Sequence, residues 1–134
     1  MVEEWKDIII EKNGVIYDYS DLYQISNYGR VRSLENNKTR KEKILKTKPN
    51  KKGYVLVGLF KDGQRTYFYL HRLVATAFIE NDDPINKTEV NHKNEIRHDC
   101  RVENLEWCTR EYNLNYGTRI ERMKQTKKHR KECN

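Results

Sequence analysis

Four side chains between positions 91 and 113 are of types that hydrolytic chemistry uses. Asn91 and His92 are adjacent, Asn104 follows His92 by 12 residues, and Asn113 follows Asn104 by 9. A neutral imidazole with an ordinary pKa of about 6.5 takes a proton from water at physiological pH. Amide oxygens are hard donors and suit Mg²⁺ or Mn²⁺ better than Zn²⁺. If Asn91, His92 and Asn113 meet on one small concavity, the chemistry is metal-assisted phosphodiester hydrolysis. Two neutral ligands leave a divalent charge unbalanced, so such a site is expected to bind metal weakly until a phosphate arrives.

The elements around these residues are short. Thr88 to His92 is a β-prone stretch, Lys93 to Glu103 is a polar loop, and Asn104 to Cys108 is a second stretch with Leu105 and Trp107 on one face. Thr109 is suited to cap a helix starting at Arg110, with Asn113 about one turn in and Gly117 at its end. Strand, loop, strand and helix make a tight ββα unit. Upstream, Tyr54–Phe60 and Arg65–Leu70 read as a hairpin closed at Asp62-Gly63. Leu70, Leu73, Val74, Ala77 and Phe78 then recur at helical spacing. His71 starts this helix and reads as a packing or capping residue. Residues 5–34 read as small β-structure, with Trp5, Ile8, Ile9 and Ile10 available for burial and Val31 alternating with Arg30 and Arg32. Residues 35–53 read as a loop or flexible basic arm.

Composition narrows the class. The 134 residues are 36% hydrophobic and 35% charged, with 27 Lys plus Arg against 20 Asp plus Glu. The length suits one compact domain with a short extension. No run approaches the roughly 18 apolar residues of a membrane helix, and Met1-Val2-Glu3-Glu4 does not open a signal peptide. Three cysteines without a CxxC pair argue against a disulfide scaffold and fit a reducing cytoplasm. The charge is uneven: residues 30–52 carry net +8 and residues 118–134 net +5, leaving −6 for the rest. Basic ends around an acidic middle suggest a polyanion gripped by the ends. Arg30, Arg32, Lys41, Lys43, Lys46, Lys48, Lys51 and Lys52 are the candidate backbone contacts, with Arg97 and Arg101 flanking the candidate site. His98, Cys100 and Cys108 offer a zinc alternative, which the missing CxxC pair disfavours.

The stretches Val90-Asn91-His92, Val102-Glu103-Asn104-Leu105-Glu106-Trp107 and Glu111-Tyr112-Asn113 resemble the HNH endonuclease family in its ββα-metal (His-Me finger) form, of the phage and intron-encoded homing type. Residues 70–79 resemble the helix preceding the motif, and Trp5 through Ser33 resembles the small NUMOD4-like module found N-terminal to these nucleases. The resemblance implies an α+β fold. Residues 1–53 would form a β-rich DNA-binding module with its basic arm. Residues 54–117 would form hairpin, helix and nuclease unit, and 118–134 a basic tail. It implies catalytic roles for His92, as general base, and Asn104, as the central Asn bracing loop and histidine. Asn91 and Asn113 would ligate Mg²⁺ or Mn²⁺. Asn91 departs from the Asp often found there and removes a formal charge. Related enzymes often continue into a C-terminal DNA-reading module. The implied partner is double-stranded DNA, with no membrane and no small-molecule substrate, in the cytoplasm of a bacterial host for a phage-encoded protein. Two rivals stand beside it: a catalytically silent DNA-binding protein on the same fold, and an RNA-binding module that uses the basic arms for shape recognition.

Overall fold

Alternation of apolar and polar side chains builds the N-terminal third. β1 (Trp5–Asp7), β4 (Tyr23–Ser26), β5 (Val31–Ser33) and β6 (Lys43–Ile44) form one antiparallel sheet in the order β1-β4-β5-β6, while β2 (Ile9–Lys12) and β3 (Val15–Asp18) form a separate hairpin. The computed structural model describes residues 2–35 and 41–117. Residues 36–40 of the basic run and the expected tail, 118–134, lie outside the described residues. Ile8, Ile10 and Val31 enter the core as expected, whereas Ile9 is half exposed and Trp5 only partly buried. The basic arm is not wholly a loop: Lys43 and Ile44 pair with Ser33 and Arg32, and Pro49 bridges Val55. The reason is that β5 has a free edge whose backbone groups need partners.

β7 (Leu56–Lys61) and β8 (Gln64–Tyr69) pair over six residues. Asp62 and Gly63 take φ of 52° and 79°, the positive values a two-residue hairpin turn requires. Val57, Leu59 and Phe68 face the core, while Leu56, Phe60, Tyr67 and Tyr69 remain substantially exposed. α1 (Leu70–Phe78) follows directly and buries Leu70, His71, Leu73, Val74 and Ala75. β9 (Glu89–His92), a 3₁₀ turn (Val102–Asn104), β10 (Leu105–Cys108) and α2 (Arg110–Leu114) complete the chain of elements. Thr109 caps α2, its Oγ1 accepting from the Tyr112 amide at 3.0 Å. The helix stops at Leu114 rather than at Gly117, which lies beyond it with φ of 59°.

One core joins all of this. Ile8, Tyr19, Ile25 and Val31 pack in the same cluster as Leu59, Phe68, Leu73, Val74, Val90 and Leu105. The N-terminal strands are therefore packed against the hairpin and the ββα unit, with Tyr19 edge-on to Phe68 at 5.8 Å. The turn after β4 is docked on the long loop: the Val102 amide donates to the Asn27 carbonyl at 2.9 Å. Gly29 has φ of 81°, and a Cβ there would lie 2.9 Å from the Cys100 carbonyl oxygen. Only glycine fits this contact without movement.

Candidate active site

β9 carries the two adjacent candidate residues. It pairs antiparallel with β10, Leu105 opposite His92 and Glu106 opposite Asn91. Strand alternation puts Glu89 and Asn91 on one side and Val90 and His92 on the other. The His92 ring accordingly meets α1, edge-on to His71 at 4.8 Å between centroids. On the other side Asn113 of α2 donates its Nδ2 to Glu89 Oε1 at 2.9 Å. At the strand's end both sides open on one cleft of about 390 Å³, mouth included, lined by Tyr54, Val90, Asn91, His92, Glu95, Arg97, Asn113 and Tyr116. Asn113, distant in sequence, thus shares a wall with Asn91 and His92.

The electrostatics follow from burial. His92 is 6% exposed and its Nε2 is buried without a hydrogen-bond partner. Burial pushes its imidazole down to about 4; the Asp99 carboxylate works against this and Arg97 reinforces it. His71 is buried as well, and desolvation, then the neighbouring His92 and Arg72, push it down to about 3. Both rings are neutral at pH 7. The Nδ2 of Asn91 is also buried without a partner, so this amide is held by its strand rather than by a protein hydrogen bond. Asn113 donates its Nδ2 to Glu89. Amide side chains of this kind suit a hard divalent cation, and the Glu95 carboxylate lies on the same wall. Among the described residues no group of three His, Cys, Asp or Glu side chains converges as a metal site. The thiols of Cys100 and Cys108 are pushed up to about 12 and about 11, chiefly by burial.

Asn104 does not line the cleft. Its Oδ1 accepts from the Asn94 amide and its Nδ2 donates to the Asp99 carbonyl, both at 2.9 Å, and its own carbonyl accepts from the Lys93 amide at 2.7 Å. It ties the start and the centre of the 93–103 loop to the turn that leads into β10. Asp99 sits at the centre of that loop, held by Arg101 and Asn94 and brought down to about 2, mainly by the Arg101 hydrogen bond. Arg101 is thereby ion-paired to Asp99 and Glu103 and is absent from the cleft wall. Arg97, its expected counterpart, is on that wall; it donates to the Lys52 carbonyl at 2.8 Å and lies 4.8 Å over the Tyr54 ring.

The other basic candidates divide in two. Lys41, Lys43, Lys46, Lys48, Lys51 and Lys52 are all exposed. Arg30 and Arg32 are engaged within the fold. Arg30 pairs with Glu3, and Arg32 bonds Gln24, lies 3.4 Å from Glu42 and stacks 4.3 Å over Trp5. Sequence reasoning missed Tyr54, Glu95 and Tyr116. Glu95 reaches the cleft because its backbone, at φ of 62°, turns back on the strand end, its amide donating to the His92 carbonyl at 2.9 Å. Tyr116 is anchored by its hydroxyl, which donates to the Lys93 carbonyl at 2.7 Å. The Asn94-Glu95 pair, a turn signal that begins two residues after the histidine, was the available clue.

A ββα unit with a histidine at the end of its first strand and an asparagine on its helix is the arrangement that the HNH resemblance implies. Comparison with known proteins agrees: residues 68–115 match the HNH endonuclease family model and residues 3–60 match the NUMOD4 motif. The chain thus carries an HNH endonuclease region preceded by a NUMOD4 motif. It is 37% identical over 111 residues to the DNA endonuclease I-HmuI of Bacillus phage SP01, covering 83% of this chain and 55% of that protein. It is 37% identical over 133 residues to an uncharacterized HNH endonuclease, L247, of Acanthamoeba polyphaga mimivirus, covering 98% of this chain and 30% of that one. The H-N-H endonuclease F-TflII of Escherichia phage T5 is 30% identical over 102 residues, covering 76% and 50%. The solved structure titled "DNA binding and cleavage by the HNH homing endonuclease I-HmuI" superposes with a TM-score of 0.67 at 35% identity, covering 89% of this chain and 59% of that one. The chain therefore spans between about a third and just over half of the length of these relatives. No helix of the described residues is long and apolar enough to cross a membrane.

Proposed function

We propose that this chain hydrolyses phosphodiester bonds in double-stranded DNA, using His92 as general base and one divalent cation, Mg²⁺ or Mn²⁺, held by the amide oxygens of Asn91 and Asn113. The observation that carries this reading is the meeting of those three side chains on one cleft. The relatives named as DNA endonucleases, and the neighbour whose description speaks of DNA binding and cleavage, support it.

The working nitrogen of His92 follows from burial. A neutral imidazole has one donor and one acceptor. Nε2 is shut from solvent, so Nδ1 is the atom that can meet a water in the cleft, with the proton kept on Nε2. Nδ1 removes the proton as the water attacks phosphorus. When bound, the cation supplies charge stabilisation at the phosphate and the leaving 3′ oxygen. Asn91 and Asn113, both on the Glu89 side of β9, would hold it. Arg97, stacked on Tyr54, is placed to meet phosphate charge as it develops. Asn104 keeps the strand end and loop in register. The exposed lysines of the 41–52 segment grip the backbone without reading sequence. One such site per chain makes a single-strand nick the natural product of a monomer, whereas a dimer would cut both strands.

The test is nicking of supercoiled plasmid in Mg²⁺ or Mn²⁺. The wild type is expected to convert plasmid to open circles, and His92→Ala to lose this while still shifting duplex DNA in a gel. Equal nicking by the two proteins would contradict the proposal, as would cleavage that persists in excess EDTA.

A further inference from the structure

The rim of the cleft is built by a tight turn that the proposed chemistry leaves unexplained. Pro49 bridges Val55, and the chain reverses between them. Asn50 closes the reversal: its Oδ1 accepts from the Lys52 and Tyr54 amides, each at 3.0 Å, and its carbonyl accepts from the Gly53 amide at 2.9 Å. Gly53 sits at φ of 91°, a conformation that favours glycine. Two groups of this turn meet one side chain, Arg97 of the loop after β9. The Lys52 carbonyl accepts from Arg97 Nη1 at 2.8 Å, and the guanidinium lies 4.8 Å over the Tyr54 ring.

The effect on Arg97 follows from its shape. A guanidinium carries five N–H donors around a planar edge. Stacking on a ring occupies a face and leaves that edge for planar partners. One edge donor goes to Lys52. Among the described residues no carboxylate pairs with Arg97, whereas Arg30, Arg32 and Arg101 each have one. Arg97 thus brings an unneutralised charge to the cleft wall. An arginine held in place before binding loses less rotamer freedom when a phosphate arrives. Tyr54 is itself fixed, its ring packing against Tyr69 at 5.6 Å, His71 at 5.7 Å and His92 at 6.2 Å. The guanidinium is therefore tied, through one tyrosine, to the imidazole pair.

We infer that Tyr54 is a positioning residue: with the Lys52 carbonyl it holds the Arg97 guanidinium at the cleft for a backbone phosphate of the bound duplex. The inference rests on the proposed DNA substrate, and on neither the base nor the cation.

Binding of a short labelled DNA duplex to the full chain in EDTA, followed by fluorescence anisotropy at several salt concentrations, tests it without reading cleavage. Arg97→Ala is expected to weaken binding roughly tenfold and to flatten the logarithmic salt dependence by about one. Tyr54→Leu, which keeps bulk and removes the ring, is expected to weaken binding roughly 2- to 10-fold. Tyr54→Phe restores the ring and is expected to recover most of that loss; Tyr54→Met replaces the leucine variant if that one fails to fold. In the Arg97→Ala background, Tyr54→Leu is expected to add no further loss. An equal loss from Tyr54→Leu in both backgrounds overturns positioning, because the tyrosine then acts without Arg97. An Arg97→Ala chain with wild-type affinity and salt slope overturns the phosphate contact. A wild type that does not bind the duplex overturns the DNA reading, and the role of Tyr54 with it. The expected binding changes in a chain that does not nick plasmid support the role of Tyr54 and contradict only the proposed chemistry.

Discussion

At the scale of residues, two buried histidines, His71 and His92, pack edge-on against each other. Both have folded-state pKa values below the unfolded value of about 6.5. The unfolded chain therefore binds more protons than the folded chain as pH falls below 6.5, and stability drops through that window toward pH 4. Each histidine is expected to cost about 2 kcal/mol by pH 5. Thermal unfolding at pH 7.5 and pH 5 should show this loss, and His71→Leu should shrink it. An unfolding temperature that does not change between these pH values would show that the rings are not desolvated. Proton NMR of the free protein should likewise find the His92 ring neutral until about pH 4. The types and offsets of Asn91, His92, Asn104 and Asn113 were legible in the sequence because hydrolytic chemistry draws on few side chains. Tyr54, Glu95 and Tyr116 were not, since nothing local marks a tyrosine as lining a cleft and a positive φ at a glutamate has no sequence signature.

At the scale of elements, short pieces are placed by their ends. The hairpin over Asp62-Gly63 and the Thr109 cap were readable because turn and cap chemistry is local. The pairing of Lys43–Ile44 with β5 was not, because a two-residue strand is chosen by the edge it joins rather than by its own composition. The engagement of Arg30 and Arg32 with Glu3, Gln24 and Trp5 escaped for the same reason, their partners being distant or across a strand. Thr109→Ala is expected to destabilise the chain by about 1 kcal/mol, and to weaken Mn²⁺ binding more than that figure suggests, since α2 carries Asn113. Equal stability in chemical denaturation would show that the cap does not hold α2. Gly29→Ala places a methyl group against the Cys100 carbonyl at a positive φ, and should cost roughly 1–3 kcal/mol. Its effect should register as faster hydrogen exchange in the 93–103 loop, which the 26–29 turn supports.

At the scale of the molecule, one core unites the N-terminal strands with the hairpin and the nuclease unit. A boundary at residue 53 is thus a change of sequence character rather than of packing. The Lys52 carbonyl accepts from Arg97, so the basic segment is tied directly to the cleft rim. DNA held by the exposed lysines would be delivered beside the imidazole. Replacing Lys46, Lys48 and Lys51 by alanine is expected to weaken duplex binding evenly across sequences. It should also flatten the logarithmic salt dependence by about one for each phosphate no longer neutralised, as measured by fluorescence anisotropy at several salt concentrations. An unchanged slope would place the DNA elsewhere on the surface.

The central claim is that Asn91, His92 and Asn113 act together on one scissile phosphate. The most direct measurement is plasmid nicking by the wild type, His92→Ala and Asn113→Ala in Mg²⁺ and in Mn²⁺, with duplex affinity measured in parallel. Both variants should lose roughly 10²–10⁴-fold in rate while binding DNA nearly as tightly as the wild type. Variants that nick as fast as the wild type would show that this cleft does not cut DNA.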